Sequence, residues 1–126
     1  MSGATPLANA ILRRGQIVLV ELDPAVGSEQ GKVRPAVIVG NNAANGQASR
    51  SGRGVITIAP ITSNTKTVHA FQVLVGGQET GLAVESKVQA EQVRSISVSR
   101  IVRPLGWVSA EQMRDVDDAL RLHLSL

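Results

Sequence analysis

The stretch QIVLVELDPAVGSEQGKVRPAVIVG, residues 16–40, decides the fold, because it places two apolar segments on either side of a polar loop. QIVLVEL (16–22) has an alternating pattern rich in β-branched residues, which predicts a strand. PAVIVG (35–40) is a short continuous apolar run, typical of a strand that is buried on both faces. We therefore expect two strands with the loop between them.

The loop carries more polar side chains than a turn requires. Its last part, GSEQGKVRP (27–35), holds four long polar residues between two glycines and a proline. Pro35 fixes its own φ and restricts the residue before it, so Arg34 is held at the start of the second strand. On spacing alone, a salt bridge of Arg34 with Glu21 or Glu29 is the favoured explanation.

Further strands are predicted at GVITIAPI (54–61) and VHAFQVLV (68–75), with shorter ones near 82–90 and 93–103. Their spacing, with Gly, Asn and Ser between them, predicts a small barrel or a strongly curled sheet. Pro60 inside its strand indicates a sheet edge or a bend. Thr62, two residues after Pro60, either presents its hydroxyl to a ligand or caps a turn. Taken by itself, the pattern favours the turn.

The end of the chain predicts the one long helix. Ser109 and Gln112 have the spacing of a capping box, and Val108 and Met113 that of a hydrophobic staple. Apolar residues recur at positions 113, 116, 120 and 124 on one face. The opposite face carries Arg114, Asp117 and Arg121. The helix is expected to pack on the sheet, which makes this a mainly β protein with a C-terminal helix.

The segment NNAANGQASRSGRG (41–54) differs in kind from the strands on either side of it. It is small and polar, has no periodicity and contains two arginines near its end. This composition predicts a long, mobile loop. Such loops are as often tolerated insertions as functional elements, and composition does not choose between the two.

Composition argues against several classes of function. The 126 residues suit one domain, and we expect a flexible extension at 1–12 before a domain at 13–126. The chain lacks cysteine, and its two histidines, His69 and His123, lie far apart and are expected to be structural or surface residues. Thiolate, histidine-based and metal-dependent chemistry therefore have no support, and no motif predicts a nucleotide cofactor. No apolar run is long enough for a membrane span, and a cytoplasmic location is expected.

The charge distribution fits either a nucleic-acid surface or an ordinary basic one. Ten of the thirteen basic residues are arginine, whose planar fork suits phosphate. The net charge is +3, with +5 in the first 108 residues and −2 in the rest. Phe71 and Trp107 are the only aromatic residues, too few for a stacking platform.

The segment RRGQIVLVELDPAVGSEQGKVRPAVIVGNN (13–42) closely resembles the N-terminal signature of the MazF/PemK family, the toxins of type II toxin–antitoxin modules. That family shows G-x-I-W-x-V-x-L-x-P, then G-S-E-Q-G and R-P-A-V-V. The likeness continues in APITSN (59–64), in GLAVESKVQAEQVRSI (81–96) and in the closing helix. It spans nearly the whole chain from residue 13, and G-S-E-Q-G-x-x-R-P is its most specific part.

The resemblance implies a small SH3-like β-barrel of the CcdB/MazF type with a C-terminal helix, acting as a homodimer. The implied activity is ribosome-independent, metal-independent cleavage of single-stranded RNA, controlled by a cognate MazE-like antitoxin with an acidic tail. By motif position, the family's catalytic arginine and threonine fall on Arg34 and Thr62, and Glu29 is the nearest candidate base. The RNA groove is implied to include Ser28, Gln30, Lys32, Gln92 and Arg94.

Two departures from the family pattern and two alternatives remain. Val18 replaces the family's first-strand tryptophan, which is expected to alter packing at the barrel edge or base contacts. The 41–54 segment looks longer and richer in arginine than in many relatives, so sequence preference does not transfer. The first alternative is a CcdB-like toxin that binds and inhibits DNA gyrase, against which the loop motif and Thr62 argue. The second is a degenerate member that only binds RNA or an antitoxin, against which Arg34 and Thr62 count.

Overall fold

The computed structural model describes residues 11–22 and 32–126. Within these ranges the strands are β1 (Gln16–Glu21), β2 (Val33–Ile38), β3 (Val55–Thr62), β4 (Gln72–Val75), β5 (Ser86–Gln89), β6 (Arg94–Ser97) and β7 (Ile101–Trp107). The helices are α1 (Asn42–Ser51) and α2 (Ala110–Leu124), with short 3-10 helices at Gln78–Thr80, Ala90–Gln92 and Val98–Arg100. None of the helices in the described ranges is long and apolar enough to cross a membrane.

The strands form one antiparallel sheet in the order β4–β5–β3–β2–β1–β7, with β6 paired to the first half of β3. This architecture confirms the mainly β class and is compatible with a barrel-like fold. Of the two expectations for Pro60, a sheet edge and a bend, the edge is wrong, because Pro60 pairs with Ala36 of β2. It lies where β3 passes from its pairs with β6, which end at Ile58, to its pairs with β5, which begin at Ile61.

Two buried clusters explain why the second strand reads as a continuous apolar run. Successive residues of a strand point to opposite faces, and here each face has its own core. Ala36 and Ile38 join the first cluster, inside the curled sheet, whereas Val37 and Val39 join the second, between the sheet and α2. Leu12 is also in the first cluster with 1% exposure, so the flexible extension expected at 1–12 does not include it.

Val18 is fully buried in the first cluster, opposite Ala36. A buried valine has no surface to offer to an RNA base. Val18 therefore contributes to packing, and an effect of the replacement on base contacts stays a prediction.

The helix α2 begins as predicted. Ser109 accepts a hydrogen bond from the Gln112 backbone N–H, and the Gln112 side chain accepts one from the Ser109 N–H, which completes the capping box. Val116 and Ala119 form the buried part of its apolar face. Leu124 is exposed, so the contact with the sheet ends before the last predicted apolar position.

Asp117 does not belong to the solvent-facing side of α2. Its carboxylate receives two hydrogen bonds from the guanidinium of Arg14, which also donates to the Val39 carbonyl. This contact ties the middle of α2 to the start of β1. Arg114 and Arg121 are exposed, as predicted.

The segment 41–54 is not a mobile loop, because most of it forms α1. Asn41 caps the helix by accepting from the Ala44 N–H, and Gly52 ends it in the left-handed conformation. Asn45 and Ser49 face inward and are buried, with hydrogen bonds to the Gly40 carbonyl and to the Leu12 N–H respectively. Small polar residues, which usually signal a loop, here make the buried contacts of a helix.

Three predicted strands differ in their bounds. The strand expected at 68–75 begins only at Gln72, since residues 68–71 precede it without strand pairing. The strand expected near 82–90 is limited to Ser86–Gln89. The segment 93–103 is divided into β6 and β7 by the 3-10 helix Val98–Arg100, and β7 continues to Trp107.

Candidate functional site

Arg34 and Thr62 come together because β2 and β3 are neighbours in the sheet. Their ladder pairs Ala36 with Pro60, and the same register continued by two residues places Arg34 opposite Thr62. Side chains opposite each other in an antiparallel pair share a face of the sheet. Both side chains are partly buried, and both line one cleft.

This polar cleft has a volume of about 300 Å³. Leu22 and Pro60 form its apolar part, and Leu22 also belongs to the core inside the sheet, so the cleft lies at the margin of that core. The remaining lining side chains are polar: Arg34, Thr62, Gln89, Gln92 and Arg94.

The charges of the polar cleft favour an anion. Two guanidinium groups, those of Arg34 and Arg94, line it, and its described lining contains no carboxylate. Arg34 makes no ion pair with the described residues, so the expected salt bridge with Glu21 is wrong. Arginine forks bind phosphate oxygens through charge-assisted hydrogen bonds. The cleft can therefore hold a phosphodiester, with glutamine amides beside it to contact base edges.

Thr62 caps a turn, which is the expectation that the pattern favours, and its place in the wall of the polar cleft is compatible with the other one. Its hydroxyl oxygen accepts a hydrogen bond from the Asn64 N–H at 3.3 Å, which is the turn-capping contact. An oxygen that accepts in this way still has its own O–H to donate. The turn thus holds the hydroxyl in place and leaves its proton available for a ligand in the cleft.

Lys87 holds the other end of that turn, and spacing in the sequence gave no sign of it. It lies opposite Thr62 in the β3–β5 ladder and is only 8% exposed. Its Nζ donates to the Thr67 carbonyl at 2.5 Å. Between these points, the Asn64 side chain accepts from the Lys66 N–H. The turn from Thr62 to Thr67 is therefore fixed at both ends, and only the strand register shows that Lys87 reaches it.

A second cleft of about 400 Å³, here called the apolar recess, lies on the other side of the same two residues. Arg34 and Thr62 line it as well, so they stand between the two clefts. The rest of its wall is mostly apolar and comes from the start of β2, the end of β3 and the segment before β5: Val33, Pro35, Ile61, Ser63, Leu82, Ala83, Val84 and Ser86.

The other predicted site residues are distributed unevenly. Gln92 and Arg94 line the polar cleft, joined by Gln89, which sequence reasoning missed. Lys32 is exposed just before β2 and lines neither cleft. Ser28, Glu29 and Gln30 lie outside the described residues.

Both histidines lie away from the two clefts. His69 precedes β4 instead of lying within a strand, and its ring stacks on Phe71 at 5.1 Å between centroids. The ring of His123, on α2, is tilted by 48° to that of Phe71, with 6.3 Å between their centroids. These contacts agree with a structural role for both. In residues 11–22 and 32–126, no group of three His, Cys, Asp or Glu side chains is placed to hold a metal ion.

Comparison with known proteins places these features in a family. A family model described as the PemK-like, MazF-like toxin of type II toxin–antitoxin systems matches residues 13–124. Endoribonuclease MazF9 of Mycobacterium tuberculosis is 54% identical over 116 residues, which cover 92% of this chain and 98% of that protein.

Solved structures from Deinococcus radiodurans share the fold. A MazE–MazF crystal structure superposes with a TM-score of 0.75 at 27% identity, covering 92% of this chain and 97% of the matched chain. A crystal structure of MazF alone from the same organism gives a TM-score of 0.72 at 27% identity, covering 92% and 98% of the two chains.

Proposed function

Because this chain belongs to the PemK-like, MazF-like family of toxins from type II toxin–antitoxin systems, we propose that it is an endoribonuclease that cuts single-stranded RNA at specific short sequences. One observation carries the proposal beyond family membership: Arg34 and Thr62 line the same cleft from neighbouring strands. A protein that only bound a protein target would need no cleft lined by two arginines with a hydroxyl beside them. The gyrase-inhibiting alternative is therefore not favoured.

The nucleophile of the reaction belongs to the substrate. The ribose 2′-hydroxyl attacks the adjacent phosphorus, the bond from phosphorus to the 5′-oxygen breaks, and that oxygen takes up a proton. The products are a 2′,3′-cyclic phosphate and a 5′-hydroxyl. DNA lacks the 2′-hydroxyl and is not cut.

Arg34 stabilises the charge that develops on the phosphoryl oxygens, because its fork faces the cleft without a competing carboxylate among the described lining residues. It also supplies a proton donor near the leaving 5′-oxygen. Thr62 donates its O–H to a phosphoryl oxygen while its oxygen still accepts a hydrogen bond from the Asn64 N–H. The two residues thus orient and stabilise the same group from adjacent strands.

The residue that removes the proton from the 2′-hydroxyl is Glu29 in this proposal. The described lining of the polar cleft offers arginine, glutamine and threonine but neither a carboxylate nor an imidazole. Glu29 belongs to the family motif just before β2. Ser28, Gln30 and Lys32 of that motif contact the RNA chain, as Gln92 and Arg94 do from the polar cleft.

The partners follow from the same family membership. The protein acts as a homodimer in the cytoplasm and is neutralised by a cognate MazE-like antitoxin, whose acidic tail is attracted by Arg34 and Arg94. Neither the tail nor the RNA requires a metal ion or an organic cofactor for binding.

The test is cleavage of a long single-stranded RNA by the purified protein in EDTA. Wild type should cut it at few sites, and Arg34→Ala should abolish cutting while keeping the wild-type thermal transition. Arg114→Ala, which removes an exposed arginine from α2, should leave cutting unchanged. Equal cutting by Arg34→Ala would overturn the catalytic assignment. Absence of cutting by wild type, together with gyrase inhibition, would replace the proposed function by its alternative.

A further inference from the structure

We propose that the apolar recess is the binding site of one nucleobase, that of a nucleotide flanking the cleaved bond, and that Val33, Leu82 and Val84 determine which base it accepts. The inference rests on the proposed function, since it assumes that the phosphate lies at Arg34 and Thr62.

The recess is continuous with the phosphate site. Arg34 and Thr62 belong to the walls of both clefts, so an RNA chain whose phosphate contacts them has neighbouring nucleotides on either side. One neighbour lies over the polar cleft and the other over the recess. The base of the second nucleotide can therefore enter the recess while the phosphate stays at Arg34 and Thr62.

The two clefts differ in chemistry, which gives the two nucleotides different environments. The polar cleft offers the amides of Gln89 and Gln92 to base edges. The recess offers aliphatic side chains to a base face, with the Arg34 guanidinium as a planar group on one wall. Unstacked RNA bases bind proteins by stacking on aromatic rings or on arginine planes. The described lining of this recess has an arginine but no aromatic residue.

The recess also has exposed apolar surface that an occupant would cover. Val33 is 45% exposed and Val84 is 59% exposed, although both are large apolar residues next to a site for a charged chain. Ile61, at the base of the recess, is 1% exposed. A base seated between the two valines would remove their surface from water and would exclude water from one side of the reacting phosphate.

The described lining of the recess has more apolar than polar residues, which favours recognition of a base by its shape. The Ser86 hydroxyl already donates to the Val84 carbonyl, so it stabilises the backbone of the wall. Ser63, exposed at the end of β3, is the hydroxyl left to contact a base edge. A pocket of this kind discriminates bases by size and by a single hydrogen bond.

The wall formed by residues 81–84 begins at a close backbone contact. Gly81 and Gly106 pack against each other's neighbouring backbone so closely that a Cβ at Gly81 would lie 2.2 Å from the Leu105 carbonyl oxygen. The start of the wall is thereby packed against β7, and the Leu82 N–H donates to the Thr80 hydroxyl. A preformed wall can exclude bases that do not fit, whereas a mobile one would adapt to them.

The experiment compares Val84→Trp with a matched control, Val55→Trp. Val55 is 58% exposed and lines neither cleft, so the two substitutions start from equal exposure. Cut sites are mapped on a pool of RNA of random sequence. Filling the recess should change the preference at one nucleotide flanking the cut by roughly tenfold or more, as expected for loss of one base contact. The control should keep the wild-type preference.

A second measurement assigns the effect to the base. An oligoribonucleotide with an abasic ribose at that position should be cut more slowly by wild type, and Val84→Trp should add no further loss. If the abasic substrate and Val84→Trp each lowered the cleavage rate and the two losses multiplied, the proposal would be overturned. Unchanged site preference in Val84→Trp, with weakened antitoxin binding, would assign the recess to the antitoxin instead. Failure of wild type to cut any RNA would overturn the proposed function itself, so the two failures are distinguishable.

Discussion

Arg34 of β2 and Thr62 of β3 line both the polar cleft and the apolar recess, and the register that pairs Ala36 with Pro60, continued by two residues, places them opposite each other. The strand register, which the two cores maintain, sets this arrangement. A slip of one residue would turn every side chain of one strand to the other face. The site therefore depends on the packing of the whole β2–β3 pair.

Arg34→Lys should lower the rate of RNA cleavage by about 10²-fold at saturating RNA. Lysine keeps the charge but replaces the planar fork with a point charge, so the pair of parallel hydrogen bonds to the phosphoryl oxygens is lost. The measurement is single-turnover cleavage, with Arg114→Lys as the control on an exposed helix face. A rate within twofold of wild type would mean that Arg34 acts through its charge alone.

Thr62→Val should lower the cleavage rate by about 10²-fold and the free energy of unfolding by about 1 kcal/mol. Valine has nearly the same shape but can neither donate to a phosphate nor accept from the Asn64 N–H. Thr62→Ser keeps both functions and should retain most of the rate. Urea unfolding and single-turnover cleavage separate the two effects. Loss of stability without loss of rate would leave Thr62 with the turn-capping role only.

Sequence patterns predict the frame of this site better than its details. Alternation and apolar runs place β1, β2 and β3, because these strands bury both faces in two cores and their composition reflects it. The capping box at Ser109 is a local interaction and is equally readable. The resemblance to the family motif predicts Arg34 and Thr62 as site residues. Their proximity depends on the register of β2 and β3, which no local sequence pattern predicts.

The two features that sequence patterns do not predict, α1 and the buried Lys87, have a common physical cause. The small polar composition of α1 predicts a loop, although Ser49 is buried and its hydroxyl accepts a hydrogen bond from the distant Leu12 N–H. Lysine is usually a surface residue, yet the ammonium group of Lys87 is buried against the Thr67 carbonyl. In each case a distant backbone group compensates for burying a polar side chain, and composition cannot reveal a distant partner.

Lys87→Met should lower the maximal cleavage rate by roughly tenfold and leave the KM for RNA nearly unchanged. Lys87 lines neither cleft, so its loss acts through the turn that holds Thr62. Lys87→Arg retains a donor for the Thr67 carbonyl and should recover most of the rate. A rise in KM with an unchanged maximal rate would instead indicate that the lysine charge attracts RNA.

Gly106→Ala should destabilise the fold by about 3 kcal/mol. A Cβ at this position would lie 2.3 Å from the Glu79 carbonyl oxygen and 2.5 Å from the Thr80 carbonyl carbon, and backbone atoms cannot yield as a side chain can. Gly46→Ala is the control: its Cβ meets only the end of the flexible Arg50 side chain at 3.1 Å. Within a helix this change should stabilise by about 0.5–1 kcal/mol. Thermal and urea unfolding of both variants check the opposite signs.

Ser49→Ala should lower the free energy of unfolding by about 1–3 kcal/mol without changing cleavage by the folded protein. The Ser49 hydroxyl donates to the Asn45 carbonyl and accepts from the Leu12 N–H at 3.1 Å, so its removal leaves a buried backbone donor unpaired. Ser51→Ala, at an exposed position of the same helix, should cost much less. Equal stabilities of the two variants would mean that the Leu12 contact contributes nothing. A larger loss for Ser49→Ala would establish that α1 anchors the start of the domain, one residue before the family likeness begins.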